Sequence, residues 1–403
     1  MSTTTTTLDE GFIQNPYPLY AELRETGPVR RILTAGGVHA WLVTRYADAR
    51  AALADPCVRK DIAVMRELIT RHRTSDSPLV QFLSVLSEHM LNTDPPDHTR
   101  LRKLVTKAFT SRRVERLRPR IEEITTDLLD DLAAHDEADL LDVFAFPLPM
   151  TVICELLGVP DTDRDSFRHW TSRLVATPMT EDSGAAAAAM TDYLTGLIAT
   201  KRAAPADDLV TDLIHAVEDG DRLTEQELVA MVFVLLVAGH DTTVNLIGNA
   251  VLSLLESPNQ LTALRADPTL LPSAIEEFLR FEGPVNLATL RYTAEAVTYS
   301  GVEIPAGELV LVSLSSANRD PNRFPNPDQL DVTRAPSAHL AFGHGIHYCV
   351  GAPLARLEAE IALGALLTRF PNLAKGGEPA TTLKWRDSTL MRGLRALPVR
   401  PHG

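Results

Sequence analysis

The stretch Phe342-Gly343-His344-Gly345-Ile346-His347-Tyr348-Cys349-Val350-Gly351 sets one cysteine among three glycines, and a helix-forming run containing Pro353 follows at once. A buried thiolate needs a partner for its charge, because an isolated buried charge is very costly. A metal supplies one partner. Backbone N–H groups supply another, and glycines let the backbone come close. The helix that starts just after Gly351 points its positive end toward the sulfur, which favours the thiolate further. Glycines 343, 345 and 351 around Cys349 therefore suit a loop that offers sulfur to haem iron, where thiolate ligation pushes electron density onto the metal and favours O–O cleavage. Spacing alone leaves two other readings open. A lone cysteine is usually a small apolar core residue. His339, His344, His347 and Cys349 also make a zinc set, although structural zinc more often draws on several thiolates.

Outward from this loop, helical and strand patterns alternate unevenly. Pro353 sits near the start of a final long helix predicted to run to about Phe370, a favourable place for proline. Pro321 to Pro327 reads as a loop, and Val297 to Ser313 as two strands with turns at Ser300-Gly301 and Pro305-Ala306-Gly307. Ser273 and Glu276 form a capping-box pattern opening a helix that ends near Phe281. A second such pattern, Thr224 with Glu227, opens a helix that continues to about Glu256, about 48 Å long. Helical periodicity dominates from His98 to about Arg280, the alanine run Ala185 to Ala189 extends a surface helix, and Val38 to Val43 reads as a strand. The fold class is mainly α with small β-sheets.

Composition narrows the function. The chain has 403 residues and a net charge of −14, which argues against general binding to nucleic acid or anionic membranes. Cys57, Cys154 and Cys349 are its only cysteines, widely spaced, so neither a disulfide framework nor a zinc pair is legible, and a reducing cytoplasm is the expected location. The Thr-rich start lacks the basic and apolar regions of a signal peptide. The longest apolar run, Val229 to Ala238, is too short to span a bilayer and fits a buried helix.

The pattern F-x-x-G-x-x-x-C-x-G, filled by Phe342, Gly345, Cys349 and Gly351, resembles the haem-binding signature of the cytochrome P-450 monooxygenases at every fixed position. Further signatures stand in that family's order, so the resemblance covers nearly the whole chain. It implies one domain over residues 1–403, with residues 1–8 as a disordered tail. It also implies haem b (iron-protoporphyrin IX) between the long central helix and the Cys-loop helix, with Cys349 as the iron's axial ligand and Phe342 and Gly351 beside the cofactor. In Ala238-Gly239-His240-Asp241-Thr242-Thr243 the family has its oxygen-activation groove. Gly239 would make room for dioxygen, Thr242 would steady the reduced oxygen, and Asp241 would relay protons. By itself the same segment fits a helix kink with a threonine hydroxyl bonded back to a carbonyl. His240 is expected to be structural.

Glu277-Phe278-Leu279-Arg280 matches the family's E-x-x-R pair, which by spacing alone fits an ordinary surface salt bridge. The resemblance implies that it is buried and joined by Arg334, with Arg319 a weaker candidate. It implies His98, Arg102, Arg291 and His347 as cations for the haem propionates, each otherwise fitting a solvated residue. Arg100 to Arg120 holds nine basic residues and one acid, either a solvated face or part of a docking face for an acidic ferredoxin. The chain carries no flavin or iron–sulfur motif, so the implied electron source is a ferredoxin with its NAD(P)H reductase, and the co-substrate is O2. Residues 61–90, 167–182, 234–242 and 285–289, with Leu390 and Met391, are the expected walls of a pocket for a bulky lipophilic guest, favoured as a macrolide or polyketide, with a sterol or terpenoid second. Glu67, Asp76 and Glu88 are candidates for an anionic anchor.

Overall fold

In the computed structural model, which describes residues 6–74, 85–160, 163–174, 181–217, 220–377 and 383–403, the helix predicted after Thr224 spans Glu225–Leu255. Its capping box forms: the Glu227 N–H donates to Thr224 Oγ1 and the Thr224 N–H donates to Glu227 Oε2. From Leu228 to Leu254 every residue is buried except Phe233, Val237, Ala238, Gly239 and Thr242. A helix apolar nearly all round belongs in a core. Among the described residues it is the one helix long and apolar enough to cross a membrane, and 72% of that window is buried inside the protein. Helices Pro147–Leu157, Glu181–Ala203, Leu271–Glu282 and Ala352–Arg369 pack around it.

Two helix expectations need correction. The Ser273–Glu276 capping box does not form. Pro272, favoured in a first turn, starts the helix earlier, at Leu271; the Ser273 hydroxyl donates to the Leu270 carbonyl, and Glu276 is drawn to Arg356 and His339. The alanine run lies within Glu181–Ala203 but is not purely a surface extension, because Ala186 and Ala187 are buried.

The strands are short: β1 (Thr6–Thr7), β2 (Val29–Leu33), β3 (His39–Val43), β4 (Val58–Arg59), β5 (Ala138–Asp139), β6 (Arg291–Thr293), β7 (Val297–Tyr299), β8 (Val302–Ile304), β9 (Leu309–Val312), β10 (Ala374–Lys375) and β11 (Pro398–Arg400). They form sheets in the orders β1-β2-β3-β9-β6-β4, β10-β11-β5 and β7-β8. Residues 297–313 therefore hold three strands rather than two. Ser300 and Gly301, both at positive φ, close the β7–β8 hairpin; the turn at Gly307 (φ 78°) then sends the fully buried β9 between β3 and β6. The expectation of a disordered tail does not hold for residues 6–8. Thr6 and Thr7 pair in parallel with β2, the Leu8 N–H donates to the Leu33 carbonyl, and Leu8 is fully buried. Residues 1–5 lie outside the described part.

Candidate active site

The cysteine loop depends on its glycines. Gly343 and Gly345 both sit at φ 74°, and a Cβ on Gly345 would meet the Leu53 carbonyl oxygen at 2.8 Å. A 3-10 turn over Gly345–His347 follows, and the Cys349 N–H donates to the Phe342 carbonyl (2.9 Å), closing the loop. Helix Ala352–Arg369 then begins, with Gly351 capping it and Arg356 lying over the Phe342 ring at 4.5 Å. Burial pushes the Cys349 thiol up, while the backbone N–H groups of Gly351 and Ala352 and the cations Arg102 and Arg356 pull it down. Cys349 nonetheless keeps open surface.

Beside the loop lies a cluster of bases. The His98 and His347 rings are 4.4 Å apart. Burial, and then the neighbouring Lys60, Arg291, His98 and Arg102, push His347 down to about 2. Burial also lowers Arg291 to about 10. His98 Nε2 and Arg291 Nε are buried without a hydrogen-bond partner. All four bases expected for propionates are thus brought together. Asp94 is the acid among them, and its carboxylate already accepts from the Lys60 and Asp61 backbone N–H groups. Buried basic groups short of anions, with orphaned donors, fit a guest carrying two carboxylates next to a thiolate. That donor set fits haem b. The zinc set does not assemble: His339 pairs with Glu276, His347 turns to His98, and among the described residues no three metal-binding side chains converge.

The long helix carries the acid–alcohol pair. Ala238 and Thr242, one turn apart on one face, are open there. The Thr242 hydroxyl donates to the Ala238 carbonyl (2.7 Å), the back-bonded geometry that its sequence context allows. Asp241 is buried; Oδ1 accepts from Arg386 at 2.5 Å and Oδ2 has no partner. Gly239 departs from expectation. The place of its missing Cβ is 2.8 Å from Ile153 Cδ1, so the space it frees is filled by the neighbouring helix, and Ala238 is the open residue beside Thr242. His240 is structural as expected: buried, with Nδ1 at the Leu236 carbonyl (2.8 Å) and Nε2 near Thr171.

The E-x-x-R pair is buried. Arg280 donates twice to Glu277, at 2.7 Å each, and to the carbonyls of Asn318, Pro327 and Gln329. Arg334 Nε completes the triad at 3.0 Å from Glu277. Arg319 does not belong to it; it pairs with Glu282, which also binds Arg392. The basic run is less free than its composition suggests. Arg100 pairs with Glu227, Arg113 with Asp212, Arg118 with Glu115 and Glu360, and Arg120 with Glu123 and Glu155. Of the pocket walls, Val285 bridges Met391, and the Asn286 N–H donates to the Leu390 carbonyl. Residues 75–84 and 175–180, including Asp76, lie outside the described part. Glu67 is exposed and ion-paired to Arg71, and Glu88 is exposed, so neither is set as a buried anchor.

Sequence reasoning missed Lys60, Arg386 and Glu358, since each lies far along the chain from the motif it serves and no local pattern marks it. Glu358, on the Cys-loop helix, is buried with neither oxygen hydrogen-bonded, and burial raises it to about 8 despite the Thr243 hydroxyl alongside. The folded state thus keeps a proton that the unfolded chain releases above the ordinary pKa of 4.5. Stability is lost as pH rises through that window. Glu358→Gln is therefore expected to be more stable than wild type by an amount that grows between about pH 5 and pH 8, on the order of a few kcal/mol at the upper end. Urea unfolding at the two pH values measures it; a difference independent of pH would contradict the assignment.

An apolar helix bearing an acid–alcohol pair, a glycine-framed cysteine and a buried cluster of bases short of anions point to an oxygen-activating haem protein, and comparison with known proteins agrees. The family model described as cytochrome P-450 matches residues 160–396. The chain is 60% identical to cytochrome P-450 107B1 of Saccharopolyspora erythraea over 98% of its own length and 96% of that protein's. It is 50% identical to the vitamin D(3) 25-hydroxylase of Pseudonocardia autotrophica, covering 96% of this chain and 94% of the relative. The tirandamycin C-bound monooxygenase TamI superposes with a TM-score of 0.90 at 48% identity, covering 98% of this chain and 100% of that one. The chain belongs to the cytochrome P-450 family. It is a haem-thiolate monooxygenase. A further relative, 41% identical over 96% of each chain, is described as the polyketide biosynthesis cytochrome P-450 PksS of Bacillus subtilis.

Proposed function

We propose that this protein hydroxylates a C–H bond of a bulky lipophilic macrolide or polyketide in the cytoplasm, using O2 and two electrons from a ferredoxin and its NAD(P)H reductase. The observation that carries the chemistry is Thr242, open on the long helix beside the buried Asp241, and we place the substrate chamber between that face and Cys349. Haem, when bound, supplies dioxygen binding and reductive O–O cleavage. Cys349 would hold the iron through its sulfur, with the thiolate supported by the Gly351 and Ala352 N–H groups at a helix N-terminus. His98, Arg102, Arg291 and His347 would hold the propionates. The apolar helix face excludes bulk water.

Proton delivery belongs to Asp241 and Thr242. The Thr242 proton is committed to the Ala238 carbonyl, so its oxygen faces the chamber as an acceptor for an O–H placed beside it. Asp241 Oδ2, free of partners, is the atom that takes up and passes on protons, while Arg386, about a quarter exposed, links Oδ1 to the outside. Thr242→Ala is expected to bind substrate nearly normally while diverting most NAD(P)H electrons to hydrogen peroxide. Unchanged product yield per NAD(P)H would remove Thr242 from the mechanism.

The substrate class is tested by titrating macrolides, linear polyketides, sterols and terpenoids against the ferric protein. A low-to-high-spin shift and an O2-dependent hydroxylated product are expected from the first two groups. The 50% identity to a vitamin D(3) 25-hydroxylase favours the sterol as the second reading, and turnover confined to sterols would replace the first with it.

A further inference from the structure

Lys60 is a fully buried lysine whose ammonium has almost nothing to bind. Nζ donates to the Thr289 hydroxyl (2.5 Å), and no carboxylate among the described residues pairs with it. An ammonium has three donors, and one hydroxyl answers only one of them. Asp94 does not compensate at the Nζ end, because its oxygens accept from the Lys60 and Asp61 backbone N–H groups. The fold puts Lys60 here for a definite reason. β4 and β6 pair with Arg59 opposite Tyr292 and Val58 opposite Thr293, so the next step along the ladder sets Lys60 across from Arg291. The hydroxyl it meets belongs to Thr289, two residues before Arg291. Lys60 thus enters the same cluster as Arg291, His98 and His347 from a different element.

Burying a lysine beside an arginine with no paired anion is strongly unfavourable unless a bound anion repays it. We infer that Lys60 is a fifth basic group of the cradle and, once haem is bound, donates a charged hydrogen bond to one of its carboxylates, tightening its retention and raising its reduction potential. This rests on the haem reading above. Thr289 would position the lysine, leaving two donors for the guest.

The test uses the haem-loaded full-length protein and the variants Lys60→Met and Lys60→Gln. Both remove the charge; methionine keeps the length and glutamine keeps a donor. Haem transfer to excess apomyoglobin is expected to speed up about tenfold or more in Lys60→Met, as for loss of one charge-assisted hydrogen bond, and less in Lys60→Gln. The ferric/ferrous midpoint potential is expected to fall in both, because a nearby positive charge favours the more negative ferrous state. Circular dichroism of both variants reports whether the fold is kept. Folded variants with wild-type transfer rates and potential would overturn the role of Lys60. A wild-type protein that takes up no haem, or whose reduced CO complex lacks the thiolate band, would instead overturn the haem reading beneath it.

Discussion

Cys349→Ala is expected to lose monooxygenase activity down to background and, with it, the strongly red-shifted Soret band of the reduced carbon monoxide complex. Everything around the sulfur supports one bond. Gly343 and Gly345 fold the loop at positive φ, the Phe342 carbonyl holds the Cys349 N–H, and two amides at the head of helix Ala352–Arg369 face the sulfur. Burial resists the thiolate, so these donors and a metal must offset that resistance together. Alanine keeps the loop and its backbone hydrogen bonds but removes the electron-rich ligand that favours O–O cleavage. The fold is expected to survive, since three of the four bases assigned to the propionates, His98, Arg102 and Arg291, lie on other elements. Retained activity with an unshifted carbon monoxide spectrum would show that another residue ligates iron, and a colourless zinc-loaded wild type would dismiss the haem altogether.

Arg280→Met is expected to be the most damaging substitution away from the chamber. It would leave Glu277 buried with Arg334 and the Asp331 N–H as its remaining partners and strip the carbonyls of Asn318 and Pro327 of their Arg280 donor. Removing one partner of a buried ion pair costs about 3–5 kcal/mol, because the remaining charge stays desolvated. These carbonyls belong to the loop that precedes the cysteine segment, so their loss loosens the floor of the site. Low yield of haem-loaded protein and a large fall in urea midpoint are the expected readouts. A loss under about 1 kcal/mol would put the pair in the class of surface salt bridges.

Much of this was legible along the chain because the signals are local. The Thr224–Glu227 box marks where the central helix begins, and the glycines around Cys349 mark a loop whose backbone other residues cannot follow. Local signals also misled. Ser273 and Glu276 have the spacing of a cap, yet Pro272 and the pull of Arg356 gave both residues other work. Gly239 has the look of an oxygen groove, yet its missing Cβ accommodates Ile153. The basic run from Arg100 to Arg120, which by composition fits either a solvated face or a docking face, is partly paired with the distant acids Asp212, Glu227 and Glu155.

Chemistry written in adjacent residues, such as a cysteine framed by glycines or an acid next to an alcohol, was set by order along the chain, since backbone conformation and helix periodicity act over a few residues. Chemistry that needs partners from far apart was decided by packing alone. Arg386 reaches Asp241 across 145 positions and Lys60 reaches Thr289 across 229, and only the closing of helices and sheet around a shared interior brings each pair within hydrogen-bonding range. Charge acts over a few ångströms in space, whatever the separation along the chain.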